Sequence, residues 1–442
     1  MTLENNTLFP ALLYTVADAE KTEKYVVVMK VSYKIIRSSH NRWDLELIED
    51  GSVPLCLADE YWGEVGQSSV KIESDLAPYK PKCDVVLNGS AYTKNNQAMS
   101  AIAVRIRLST PKSDEPVNVP VSPKPLNPKM SLTESQQKQW AKQQKLYEDQ
   151  LERQKEIEYV TQFEKTLSVL GDSHFEQNLL LPGWKRSKLS TFVECPIRWE
   201  YAFGGNHFLK KKESDEIAVL NEACYTNPLG CGWLDTSYFD CCDKVNKFKS
   251  KNEKLTNFKT IQSPRIEHYL QRQKKPAFID QAKKVKLETV RKMQEVASKY
   301  PFTPAGFGFV GRSWLPRISY AGTYDQKWLE EQHPYPAFDM DYQYWNGAPE
   351  DQQIEVFNPA SKLELWNLTP PKFSDNGYIC VNFKGHQPLA IISYESATPK
   401  KIPLMTETVL IDTDQMTISL THKALIDIKS NSISSIQLDL IH

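Results

Sequence analysis

The run Tyr25-Val-Val-Val-Met-Lys-Val-Ser-Tyr-Lys-Ile-Ile36 is built almost wholly of β-branched and aromatic residues. Branching at Cβ crowds a helix but packs well on a pleated surface, so the run predicts a long strand. Trp43-Asp-Leu-Glu-Leu-Ile48 alternates polar with apolar after the turn-forming Ser38-Ser-His-Asn-Arg42, which predicts an antiparallel partner and a hairpin. The signature recurs. Asp84 to Leu87 reads as a buried strand before an Asn88-Gly89 turn, Ala101 to Leu108 alternates cleanly, and Phe163 to His174 resumes the pattern. Glu407 to Thr421 forms two alternating strands about Asp412-Thr-Asp414. Strands of this kind bury their apolar faces by stacking, so the expected fold is mainly β: packed antiparallel sheets, sandwich or barrel-like, with two helical insertions.

The insertions are where the pattern stops. Pro111 to Lys129 carries six prolines, and Ser131 to Tyr159 is rich in Gln, Lys and Glu. This reads as a linker leading into a polar helix, with Ser131 and Glu134 at capping-box spacing. Trp140, Tyr147 and Leu151 fall on one narrow face, which suits either a solvated arm or a docking helix. Lys244 to Tyr300 is the second insertion, with Ala282, Val285, Thr289, Met293, Val296 and Tyr300 marking an amphipathic helix. The expected divisions are therefore a β region at 1–109, an insertion at 110–160, a β region at 161–243, an insertion at 244–300, and a β region at 301–442 packed with the first as one body.

Pro304 to Trp328 sets Gly306, Gly308, Gly311 and Gly322 among Phe307, Phe309, Trp314, Tyr320, Tyr324 and Trp328. Gly306, Gly308 and Gly311 space as G-x-G-x-x-G, but a dinucleotide cradle must follow a strand and open a helix. Tyr300-Pro-Phe-Thr-Pro304 precedes them and Pro316 would break the helix, so the stretch reads as a tight structural connection. Trp314, Arg317, Tyr324, Asp325 and Trp328 are its candidate residues for turn structure or partner binding. Arg317 and Asp325 are expected to pair.

Two clusters of acidic residues stand out. Asp75, Lys80, Lys82 and Asp84 suggest an acid/base group, yet Ser74 and Asp75 satisfying turn amides while the lysines stay in water is the favoured reading. Asp339, Asp341, Glu350 and Asp351 form the densest carboxylate group, but interleaved aromatics spoil a calcium-loop register. Cys224, Cys231, Cys241 and Cys242, near His207, lack the paired spacing of a zinc site. No catalytic residue, metal or cofactor is expected.

At a net charge of −1, with 40% hydrophobic and 25% charged residues, the chain has no electrostatic bias toward nucleic acid. No apolar run approaches the ~20 residues of a membrane helix, and Met1-Thr-Leu-Glu-Asn-Asn lacks the features of a secretory signal. Eight dispersed cysteines fit reduced thiols. The expectation is a cytoplasmic protein that neither enters membranes nor binds nucleic acid.

The words Ser74-Asp-Leu-Ala-Pro78, Tyr201-Ala-Phe-Gly-Gly205, Gly306-Phe-Gly308, Trp314-Leu-Pro-Arg317, Ala321-Gly-Thr-Tyr-Asp325 and Ala348-Pro-Glu-Asp-Gln352 occur in one order. Together they resemble a bacterial domain-of-unknown-function family encoded beside type VI secretion effectors, whose members look like adaptors or chaperones for those toxins. The resemblance runs from Phe9 to Thr421 and skips Thr110 to Val160 and Lys244 to Tyr300. It implies a non-enzymatic protein that binds an effector toxin in the cytoplasm and helps load it on a spike-tip protein of PAAR type. The competing classes are a metal-dependent hydrolase using His333, Asp339, Asp341 and Asp351, and a structural spike component.

Overall fold

The computed structural model describes residues 2–37, 42–49, 52–65, 68–112, 133–155, 157–177, 184–202, 305–314, 317–374, 376–395, 398–428 and 433–441, with short strand fragments between 208 and 268. The chain is mainly β, and no sheet closes into a barrel among the described residues.

The largest sheet has seven strands, β1 (Ala11–Ala17), β2 (Glu23–Arg37), β3 (Trp43–Leu47), β4 (Cys83–Asn88), β5 (Gln353–Ile354), β6 (Met405–Asp412) and β7 (Thr417–Asp427). They lie in the order β5-β4-β6-β7-β2-β1, with β3 paired to the far end of β2. Both expected hairpins are present: Tyr33 pairs with Leu47, and Val409 with Leu420. Gln415 N–H donates to Asp412 Oδ1 at 2.8 Å to close the second. The parallel β4–β6 pairing and the antiparallel β7–β2 pairing join strands from opposite ends of the chain.

Period-2 alternation gives this sheet two different faces. Val27, Met29, Val31 and Tyr33 of β2, Val85 and Leu87 of β4, Val409 and Ile411 of β6, and Ile418 and Leu420 of β7 enter one core. Val104, Ile106 and Leu108 of a five-stranded sheet meet them there, with Ile436 and Leu438 of a four-stranded one. Each such side chain contributes about 1.5–3 kcal/mol through burial.

The other face carries Lys30, Ser32, Asp84, Thr408, Ser419, Thr421 and Lys423, and is buried all the same. Residues 52–80 and 305–350 cover it, helped by a small cluster of Val70, Val86, Phe309, Ala348 and Leu410. Gly89, expected in a turn, does not reverse the chain; it leads into the Ser90–Tyr92 strand, which pairs with Glu194–Pro196. A Cβ at Gly89 would lie 1.9 Å from Thr413 Oγ1, so close approach explains the glycine.

Three helices are described: α1 (Glu134–Lys155), α2 (Trp199–Ala202) and α3 (Gln326–Glu331). The expected cap of α1 is corrected by two residues. Thr133 Oγ1 accepts from Gln136 N–H at 3.4 Å, while Gln136 Oε1 accepts from Thr133 N–H at 3.0 Å. The expected helix at 282–300, with His207, Cys224, Cys231, Cys241 and Cys242, lies outside the described residues.

Candidate functional site

Four buried cations and four buried carboxylates meet between the polar face of the sheet and its cover. Lys30 pairs with Asp75, Lys80 with Asp84 at 2.7 Å, Lys423 with Glu407 at 3.0 Å, and Arg317 with Glu73. Hydroxyls and backbone amides complete the carboxylates. Asp75 accepts from Cys56 N–H at 2.7 Å and Thr421 Oγ1 at 2.8 Å; Asp84 accepts from Gly347 N–H at 2.8 Å and Asn346 Nδ2 at 3.0 Å.

This corrects the expectation for Asp75 and Lys80. Asp75 does satisfy a backbone amide, but Lys80 is buried. Burial opposes the Lys80 charge, and Asp84, Glu73 and Glu407 outweigh it, raising its pKa. At Lys423 burial wins over Glu407, and the pKa falls. Opposite charges in equal number, each within ion-pair reach of another, make a lock between sheet and cover; a buried charge left without its partner would be costly.

The glycine-rich stretch forms a strap beside β4. Leu87 N–H donates to Phe307 O at 3.0 Å, and Val310 N–H donates to Gly347 O at 2.8 Å. Gly306 lies against Trp199, where an added Cβ would be 2.9 Å from the ring. Trp199 Nε1–H donates to Phe309 O at 2.7 Å, and Trp314 packs edge-on against the same indole at 6.0 Å. Trp314 is therefore core. Arg317 belongs to the lock: it donates to Glu73 and, at 2.9 Å, to Tyr344 O. The expected Arg317–Asp325 pair does not form. Asp325 caps α3 instead, accepting from Trp328 N–H at 2.9 Å.

Beyond Arg317 the chain forms a closed loop. Asp341 N–H donates to Tyr320 O at 3.0 Å, and Thr323 donates to Asp339 through its backbone at 2.8 Å and its hydroxyl at 2.7 Å. The Thr323 bonds hold the Asp339 carboxyl below its usual range. Inside the loop, Trp328 Nε1–H donates to Tyr335 O at 2.9 Å, and Tyr324 meets the Trp328 ring edge at 4.8 Å. Among the charged residues of its outer surface stand three large hydrophobic side chains: Tyr324 is 50% exposed, Leu329 53% and Phe338 69%. This is a loop closed by hydrogen bonds and displaying large hydrophobic side chains, the arrangement of interface anchors.

The profile of a family described as an uncharacterized protein conserved in bacteria (DUF2169) matches residues 20–119 and 156–423. The chain belongs to this family. No curated protein and no solved structure matches it. The lock, the strap and the exposed loop all fall within the matched residues, as does the sheet apart from β1 and the last residues of β7, and the match also runs through 244–300. Residues 120–155 fall outside the match, so α1 is an addition to the DUF2169 body.

On α1, Tyr147 is buried and Trp140 partly buried, seven residues apart on one face, while Leu146 is 59% exposed. The Leu151 side chain lies outside the described residues. The carboxylates considered for chemistry are engaged separately: Asp339 with Thr323, Asp341 with Gln343 N–H, and Asp351 with Lys165 Nζ at 2.8 Å. Among the described residues no three His, Cys, Asp or Glu side chains converge as a metal site.

Sequence reasoning missed Glu73, Lys30, Lys423 and Glu407. The available signal was charge inside strands: Lys30 interrupts Tyr25 to Ile36, and Lys423 extends the polar positions of Thr417, Ser419 and Thr421.

Proposed function

We propose that this protein is a non-enzymatic adaptor that binds a type VI secretion effector in the bacterial cytoplasm and helps load it onto a spike-tip protein. The observation that carries the reading is the exposed trio Tyr324, Leu329 and Phe338 on a loop closed at its neck by Thr323 and Asp339. Hydrophobic anchors fixed before contact bind with little ordering cost. Membership of a family conserved in bacteria supports the setting. No specific observation favours the hydrolase or spike-component readings.

The test is affinity capture of the tagged protein from its native host, with mass spectrometry of what co-purifies. A toxin-like protein and a spike-tip protein should be recovered, and a Leu329→Ser/Phe338→Ser bait that melts like the wild type should lose them. A well-folded bait that repeatedly returns alone would overturn the reading.

A further inference from the structure

We propose that the free edge of β1 is a strand-addition site for an extended, basic segment of a partner polypeptide. β1 is a terminal strand of the seven-stranded sheet, and its register against β2 settles which backbone groups face outward. Lys30 N–H donates to Pro10 O at 3.0 Å and Asp18 N–H donates to Thr22 O at 3.1 Å. Even-numbered positions therefore bond β2. In an antiparallel pair the alternate positions, Ala11, Leu13, Thr15 and Ala17, turn their N–H and C=O groups away from it. None of these four makes an outward backbone bond among the described residues.

An edge of this kind is normally defended by lysine, proline, a bulge or a cover. The edge strand Lys400–Pro403 of the four-stranded sheet follows that rule, with two lysines and a proline. β1 does not: Ala-Leu-Leu-Tyr-Thr-Val-Ala contains no charge, proline or glycine, and Leu12 and Thr15 are exposed. A regular, uncharged edge is the template on which extended peptides add as a further strand.

Charge selects the occupant. The β1–β2 turn touches the exposed loop, where Gln332 Nε2–H donates to Ala19 O at 2.6 Å and Lys21 Nζ donates to Glu331 O at 3.2 Å. Residues 318–342 carry Asp325, Glu330, Glu331, Asp339 and Asp341 against Lys327 alone, in a chain whose net charge is −1. A segment running along β1 toward that loop enters a negative field and is favoured if basic. That this segment belongs to an effector rests on the adaptor reading; strand addition itself does not.

The test uses the full chain and two eight-residue peptides, one alternating valine with lysine and the other valine with glutamate. The lysine peptide should slow amide hydrogen exchange at Leu13 and Thr15 at least tenfold, and the glutamate peptide should not. Thr15→Pro removes an outward N–H without touching the β2 ladder and should abolish the slowing. Thr15→Lys, which keeps the N–H but defends the edge, should weaken it severalfold. Exchange already slow in the free monomer, or equal binding by a folded Thr15→Pro protein, would overturn the proposal. So would a concentration-dependent dimer protecting the same amides, which would place a second copy there. Host capture separates the two readings. An effector recovered equally by Thr15→Pro, with no protection of β1 by the lysine peptide, sinks the edge and leaves the adaptor; protection by the lysine peptide with no effector recovered does the reverse.

Discussion

Arg317 and Glu73, 244 residues apart in the chain, form a buried ion pair that ties the cover of the polar sheet face together. Removing one partner strands the other charge away from water. Arg317→Ala should therefore cost about 3–5 kcal/mol, and Glu73→Ala a similar amount. The joint replacement Arg317→Met/Glu73→Leu should recover much of it. Urea unfolding midpoints decide this, and a loss below about 1 kcal/mol for Arg317→Ala would show the pair to be dispensable.

Asp325 plays a different and smaller part. It caps α3 on the surface, so Asp325→Ala should cost about 0.5–2 kcal/mol. Because Asp325 and Arg317 share no partner, their effects should add. A coupling above about 0.5 kcal/mol in the double variant would revive a direct link.

Gly306 is predicted to resist even one extra methyl group. The Trp199 ring that a Cβ would meet at 2.9 Å is held by Phe309 O and backed by Trp314, so it cannot step aside freely. Gly306→Ala should destabilise by about 1–3 kcal/mol and alter the near-ultraviolet tryptophan signal. An unchanged signal with an unchanged midpoint would show that the strap relaxes.

His422 should make stability fall in mild acid. Burial lowers its pKa from 6.5 to about 3, with Nδ1 3.1 Å from Thr406 Oγ1. The unfolded state takes up the proton first, so this contribution is complete above pH 6.5 and is lost as pH falls toward 3. At roughly 1.4 kcal/mol per pH unit, the loss reaches about 3 kcal/mol at pH 4.5. His422→Gln should have a flatter stability profile than the wild type between pH 6.5 and 4.5; parallel profiles would count against a neutral buried imidazole.

The strands were legible because a strand's signature is local. Side chains two apart share a face, so Tyr25 to Ile36, Ala101 to Leu108 and Glu407 to Thr421 declared themselves without knowledge of their neighbours. The close packing of the glycine-aromatic stretch was legible for the same reason, since glycines among rings imply tight contact wherever the rings find a partner.

Partners are another matter. Amino-acid sequence determined that this is a mainly β chain with charges at Lys30, Glu73, Asp75, Lys80, Asp84, Arg317, Glu407 and Lys423. Only the tertiary structure decided that the eight neutralise one another beneath residues 52–80 and 305–350, that Arg317 takes Glu73 and not Asp325, and that β1 ends its sheet with backbone groups facing outward. Periodicity reports which way a side chain points relative to its own backbone. Which distant segment fills the space it points into depends on how the sheets assemble, and in a chain of long-range pairings that information is held by no short stretch.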